Sequence, residues 1–229
     1  MRMMTLDSAT HSGGGMSRAN TVLCPLVLMI VAISAVVPQA ESHEVSMCAS
    51  AEQIAAVRFA LDGKEPAPLS AIATTLKTPE AVVASALPAT QAFGVSATHF
   101  QMIWKSLETW DDATIFITKG SDLFEVQGPV ARGEPSKRSK FFNLHREGPG
   151  LIGHLRPDLY SSIYLLEIPG TSTTLRGVVF FDQSGGSVFS VYVPGEGAPP
   201  PAAVVDQFKA TSSLIRSLPS LCPGESRSH

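Results

Sequence analysis

The chain has 229 residues, 44% of them hydrophobic and 16% charged, with a formal net charge of −3. This length suits one domain of ordinary size with a small appendage, and the charge balance removes any general electrostatic reason to bind nucleic acid. Three cysteines without CxxC spacing exclude a zinc ribbon and a disulfide-dense scaffold. No Walker, Rossmann or HExxH pattern is present.

Residues 1–48 read as a leader rather than as part of a fold. Gly13, Gly14 and Gly15 lie among Ser, Thr and His, the composition of a disordered start. Arg18 then precedes an apolar run from Val22 to Val37 that ends in Pro38-Gln39-Ala40, the order of a signal peptide. At about 16 residues the run is short for a spanning helix of roughly 20. An uncleaved anchor over 18–40, and a start of translation at Met47, stay open as alternatives; the first two place the chain outside the cytoplasm or on a membrane, the third inside the cell. Cys24 lies within the run, poorly placed for lipoprotein processing. Cys48 and Cys222 flank the remaining chain: exported they could pair, in the cytoplasm they would stay thiols, and two unrelated free thiols is the plainer expectation.

Residues 49–220 form the predicted domain, with 221–229 as a disordered tail. Apolar residues recur at helical spacing from Ala51 to Leu61, and Gly63 marks the stop. A second helix covers Leu69 to Leu76. A third begins at Thr78-Pro79-Glu80, with Thr as cap and Pro at the first helical position. Leu69, Ile72, Leu76, Val82, Val83 and Leu87 make a shared apolar face. Three short helices in this arrangement suggest a helix-turn-helix, but 79–87 carries no Lys or Arg for phosphates or base edges, so packing is the better reading. A loop over 88–95 leads to Ser96, which caps an amphipathic helix through Phe100, Ile103, Trp104 and Leu107.

Strand signals follow at 113–118 and 123–130 around the turn Lys119-Gly120-Ser121-Asp122. Further strands are predicted at 141–146, 151–156, 161–168, 178–182 and 187–193, separated by Gly148-Pro149-Gly150, Pro169-Gly170 and Ser184-Gly185-Gly186. Consecutive hairpins imply an antiparallel meander. Pro199-Pro200-Pro201 ends it, and a last helix over 202–218 offers Val205, Phe208, Leu214, Ile215 and Leu218 to the sheet. The predicted class is α+β: N-terminal helices, a large antiparallel sheet, and a C-terminal helix packed on it.

The stretch from Phe141 to Arg156 concentrates the chemistry. Alternation puts Leu144 and His145 on opposite faces of one strand, and Gly153 and His154 on opposite faces of the next. An imidazole on a flat surface with cations nearby (Arg132, Lys137, Arg138, Lys140, Arg156) suits an anionic, metal-bearing planar ligand. Gly153 would let such a ligand approach the backbone, and one member of each Phe pair, as in Phe180-Phe181, could line a ligand surface or a dimer contact.

From Ala51 to Leu218 the chain resembles the haem-utilisation carrier family usually called HutX or ChuX, related to the larger HemS-type haem proteins. The resemblance rests on Trp110-Asp111-Asp112-Ala113-Thr114-Ile115, Phe124-Glu125-Val126-Gln127-Gly128-Pro129, Phe142-Asn143-Leu144-His145 and Gly153-His154-Leu155-Arg156. It continues through Val179-Phe180-Phe181-Asp182, Val188 to Val193, and Asp206-Gln207-Phe208. It implies a haem-binding carrier in haem uptake and iron utilisation, cytosolic and homodimeric, with haem as bound cargo and a haem importer or haem-degrading enzyme as partner.

The resemblance implies His154 as the axial ligand of the iron, with His145 beside it, and Arg156, Arg132, Arg138 and Lys140 as holders of the propionates. Several family positions differ: Thr118 stands where a His is common, 135–140 lacks another, Gly170-Thr171-Ser172 replaces Phe-Met-Gly, and Ser190 and Pro194 replace a Lys and a Gly. Two alternatives follow from these differences and from the family's relatives: a diverged fold that has lost haem and binds another apolar or anionic ligand, and a haem-degrading enzyme. No flavin or nicotinamide motif and no acid–base pair supports the enzyme.

Overall fold

The computed structural model describes residues 47–61, 68–145, 150–170, 173–195 and 199–222. The apolar run at 22–37 with Cys24, the stop at Gly63, Arg146, the turn at Gly148-Pro149, Thr171-Ser172 and the tail from 223 lie outside them. The chain divides into two units, 1–42 and 43–229, and every described residue belongs to the second. Among the described residues no helix is long and apolar enough to cross a membrane.

Helices α1 (Ala51–Leu61), α2 (Leu69–Leu76) and α3 (Glu80–Ser85) form where the periodicity predicts. Ile72, Val82, Val83 and Leu87 are buried, and Leu69 and Leu76 pack on the same cluster. The cap of α3 differs from expectation: Pro79 occupies the cap position, and the Thr78 hydroxyl donates back to the Leu76 carbonyl. Strand β1 (Ala92–Ser96) takes the second half of the predicted loop. Its Gly94 lies under the Tyr164 ring, where a Cβ would collide, so the residue that reads as a loop signal is required for close strand packing. The Ser96 hydroxyl accepts from Thr98 N in a short 3₁₀ turn, which leads into α4 (Phe100–Leu107).

Strands β2 (Ala113–Lys119) and β3 (Asp122–Gly128) make the predicted hairpin, with Lys119 opposite Asp122 and Gly120 at φ 60°. Then come β4 (Arg132–Pro135), β5 (Phe142–His145), β6 (Gly153–Leu155), β7 (Tyr160–Pro169), β8 (Thr174–Asp182) and β9 (Ser187–Tyr192), and helix α5 (Ala202–Arg216). The strands divide between two antiparallel sheets. Six form one in the order β1-β7-β8-β9-β2-β3, and β4-β5-β6 form a second of three. The expected single meander is therefore split, because Gly128 at φ 139° ends β3 and β4 turns away to pair with β5.

Both faces of the six-stranded sheet are covered. Ile163, Leu165, Val178 and Phe180 point into a core with α4, α5 and the small sheet, while Tyr164, Leu166, Val179 and Phe181 point to α1–α3. The alternation of β7 and β8 is thus apolar on both sides, as a sandwiched sheet requires. Phe180 and Phe181 are both fully buried, so neither lines a ligand surface or a dimer contact. On α5 the buried side chains are Val204, Phe208, Thr211 and Ile215; Val205, Leu214 and Leu218 are only partly covered. The shift lets the Thr211 hydroxyl meet Trp110 Nε1 at 3.0 Å and Ser106 Oγ at 2.7 Å, a buried polar knot closed by polar partners on both sides.

Two half-buried tyrosines give the fold an alkaline limit. Burial pushes the Tyr160 and Tyr192 phenols up from 10.0 to about 12. A raised phenol favours the neutral form in the folded chain, so this stability is fully present below pH 10 and is lost as pH rises from about 10 toward 12. The urea midpoint is expected to fall across that window, with tyrosinate absorbance appearing together with unfolding. Ionisation of these phenols well before unfolding would contradict their burial.

Candidate functional site on the small sheet

The small sheet has one inward and one outward face, set by its register. Gly133, Pro135, Phe142, Leu144, Gly153 and Leu155 form the inward rows, and Phe142 and Leu144 are buried. A Cβ at Gly133 would run into the Phe142 ring, so glycine lets that ring lie flat across β4. Helix α4 fixes the sheet from within: Trp104 Nε1 donates to the Ala131 carbonyl at 3.1 Å, and Gly133 N donates to Glu108 Oε1 at 2.6 Å. Phe100 and Trp104 both meet the Phe142 ring edge-on.

The outward rows carry the candidate residues. Glu134, Asn143 and His154 stand opposite one another across three strands, and Arg132 stands opposite His145. His154 is exposed, and its Nδ1 lies 2.8 Å from Asn143 Oδ1. An amide oxygen can only accept, so Nδ1 carries a proton, and in the neutral imidazole Nε2 keeps its lone pair. Nε2 has no partner among the described residues. This is the arrangement a metal-binding imidazole needs: one nitrogen held, its tautomer fixed, the other aimed outward.

Phe141, exposed beside His154 with ring centroids 5.7 Å apart, supplies an apolar plane. The Arg156 guanidinium lies over the Phe141 ring, 5.5 Å from its centroid. Strand β6 ends at Leu155, so Arg156 belongs to the turn that follows rather than to the strand itself. Its Nε and Nη2 donate to Asp158 at 2.8 and 2.9 Å, and Lys140 Nζ is 3.7 Å from the same carboxylate. Those hydrogen bonds hold the Asp158 carboxyl below the usual range and raise the Arg156 guanidinium.

The structure therefore brings His154, Arg156 and Lys140 together around Phe141. His145 is one outward row away, with Nε2 3.6 Å from Glu134 Oε1. Arg132 and Arg138 are exposed, and Arg138 sits in the turn after β4 with its amide on Ser136 Oγ. Gly153 pairs with Leu144, and a Cβ built on it would meet nothing within 4 Å, so the backbone beside His154 is uncrowded. His145 and His154 project from the same face of one sheet and cannot meet from opposite sides of a single ring. Asn143 and Asp158 escape a reading by residue type; the register between β5 and β6, which pairs Asn143 with His154, is the signal that finds the first. Among the described residues no group of three or more His, Cys, Asp or Glu could hold a bare metal ion.

Comparison with known proteins agrees with this architecture. The intracellular heme transport protein HutX of Vibrio cholerae is 28% identical over 124 residues, which cover 54% of this chain and 63% of that protein. The match thus spans less than two thirds of that relative's length. The crystal structure of ChuX superposes with a TM-score of 0.62 at 18% identity, covering 70% of this chain and 98% of that one, a likeness of fold. A protein of Erwinia carotovora gives 0.59 at 26% identity over 66% of this chain and 93% of its own. Residues 93–210, from β1 into α5 and more than half of the sequence, match the family described as haem utilisation ChuX/HutX, and the chain belongs to that family.

Proposed function

We propose that the chain is a haem carrier in haem uptake and iron utilisation, and that the outward face of the small sheet receives the ring. Membership of a haem-utilisation family supports the cargo. The observation that carries the site is the His154 imidazole, fixed by Asn143 through Nδ1 with Nε2 aimed outward. Phe141 offers a face to the porphyrin, while Arg156 and Lys140 hold propionates by charge-assisted hydrogen bonds. Arg132, Arg138 and His145 lie on the rim, where they add positive or titratable groups.

One-sided ligation suits a carrier, which needs binding together with ready release. A ligand trans to His154 must come from across the ring, and His145 of the same chain does not reach there. A second copy fills that place in a homodimer. The outer edge of β3, which pairs with no strand among the described residues and has Leu123 and Phe124 exposed, is the open strand such a dimer would use. A haem importer or a haem-degrading enzyme is the partner that this role requires.

Hemin titration of the full chain, with and without His154→Ala, tests the reading through the Soret band. A shift that disappears in the variant supports it. No shift in the wild type would favour the diverged fold that binds another ligand, and loss of the band with reductant and oxygen would favour an enzyme.

Asp158 competes with a propionate for Arg156 and Lys140. Asp158→Asn is therefore expected to tighten hemin binding roughly two- to five-fold, the scale of one exposed ion pair. Weaker binding in that variant would show that Asp158 positions Arg156 rather than occupying it.

A further inference from the structure

Cys48 and Cys222 are joined in a disulfide, with Cα atoms 5.7 Å apart and 174 residues between them in sequence. This corrects the expectation of two unrelated thiols. We infer that the chain matures and works in an oxidising compartment, outside the cytoplasm. The inference rests on the two ends of the domain and not on the haem reading.

Non-covalent contacts already bring both cysteines to the same place. Ala49 N donates to Ser85 Oγ at 2.8 Å, and Met47 packs with the cluster beneath α1–α3. At the other end Leu221 N donates to the Gly94 carbonyl of β1 at 2.8 Å, and Leu221 joins the same cluster. The Arg216 guanidinium donates to the Ala89 and Thr90 carbonyls at 2.9 and 3.2 Å. Native packing thus holds the two sulfurs within bonding reach. In an oxidising compartment they close without rearrangement, whereas a cytoplasm keeps such pairs reduced. The bond then fixes the C-terminal segment along β1, the edge strand of the large sheet.

The cysteine count agrees from a second direction. The third cysteine, Cys24, falls inside the apolar run that reads as an export signal, and cleavage after Ala40 would remove it while keeping Cys48. The processed chain then has two cysteines, both bonded, and no odd thiol. The relative named as an intracellular transporter is matched over 124 residues, fewer than the 174 that separate Cys48 from Cys222, so that match does not contain both cysteines.

The test uses the full-length gene expressed in the native host. Cells are quenched in acid, free thiols are alkylated with one reagent, and disulfides are then reduced and alkylated with a second. Mass spectrometry reads which label each cysteine carries. The second label on Cys48 and Cys222 in most molecules, with no peptide containing Cys24, is the expected result. The first label on both in most molecules overturns the inference, whatever a hemin titration shows. A Cys48→Ser variant gives an independent arm: cleavage near Arg216 in limited proteolysis is expected to run roughly tenfold faster, as for a released terminal segment. An unchanged rate would contradict the fixing of the C-terminal segment by the bond.

Discussion

Replacing His154 with alanine is expected to abolish the hemin-induced Soret shift while leaving the fold intact. The side chain is exposed and contributes little to packing, so the unfolding free energy from urea titration should stay within about 0.5 kcal/mol of wild type. Its loss removes the one imidazole nitrogen that the sheet holds outward with a fixed tautomer. Asn143→Ala should give a graded version of the same defect. The imidazole remains, but its Nδ1 proton is no longer anchored, and partners of this kind typically account for 10–100-fold in metal affinity. His145→Ala, one row away against Glu134, should leave the Soret shift in place. A shift that survives His154→Ala but vanishes in His145→Ala would move the ligand to the other histidine.

Trp104→Ala carries the largest expected cost in stability. The side chain is 1% exposed and packs between Phe100, Phe142, Phe180 and Phe189, so truncation leaves a cavity worth about 3–5 kcal/mol. It also strips the indole donor from the Ala131 carbonyl, a buried group whose desolvation adds about 1–3 kcal/mol. Trp104→Phe separates these effects in part, keeping one aromatic ring in the core while losing the hydrogen bond. The same indole ties α4 to the chain entering β4, so hemin binding should weaken in Trp104→Ala even under conditions where the variant is folded. Equilibrium urea unfolding reads the first effect, and a loss under about 1 kcal/mol would contradict the packing described.

Much of this fold is legible in the sequence because its signals are local. The helices at 51–61 and 69–76 follow from apolar spacing, and the hairpin at 119–122 from its turn residues. What sequence reading misses depends on distant partners. β1 contains a glycine that looks like a loop until the Tyr164 ring is placed over it from β7. β4 is a short, charged strand with little pattern of its own, and it exists because β5 pairs with it and Glu108 accepts its Gly133 amide. Once β4 is seen, the split into two sheets follows.

The site divides in the same way. His154 and Arg156 stand out by residue type and by family resemblance. Asn143 matters only through the register that places it opposite His154, and Asp158 only through the turn that folds it onto Arg156. Phe180 and Phe181 mislead because adjacent aromatics suggest one exposed ring, whereas this sheet has a core on each side. The disulfide is the longest-range feature of all, and neither cysteine carries a local sign of the other.

Hydrogen–deuterium exchange of the full chain with and without hemin tests the central claim most directly, because it locates the ligand without presuming which residue binds it. The account predicts slower exchange in β4, β5, β6 and the turn through Asp158, with the helices at 51–85 unchanged. Protection confined to those N-terminal helices, or to β7 and β8 at the centre of the large sheet, would contradict it.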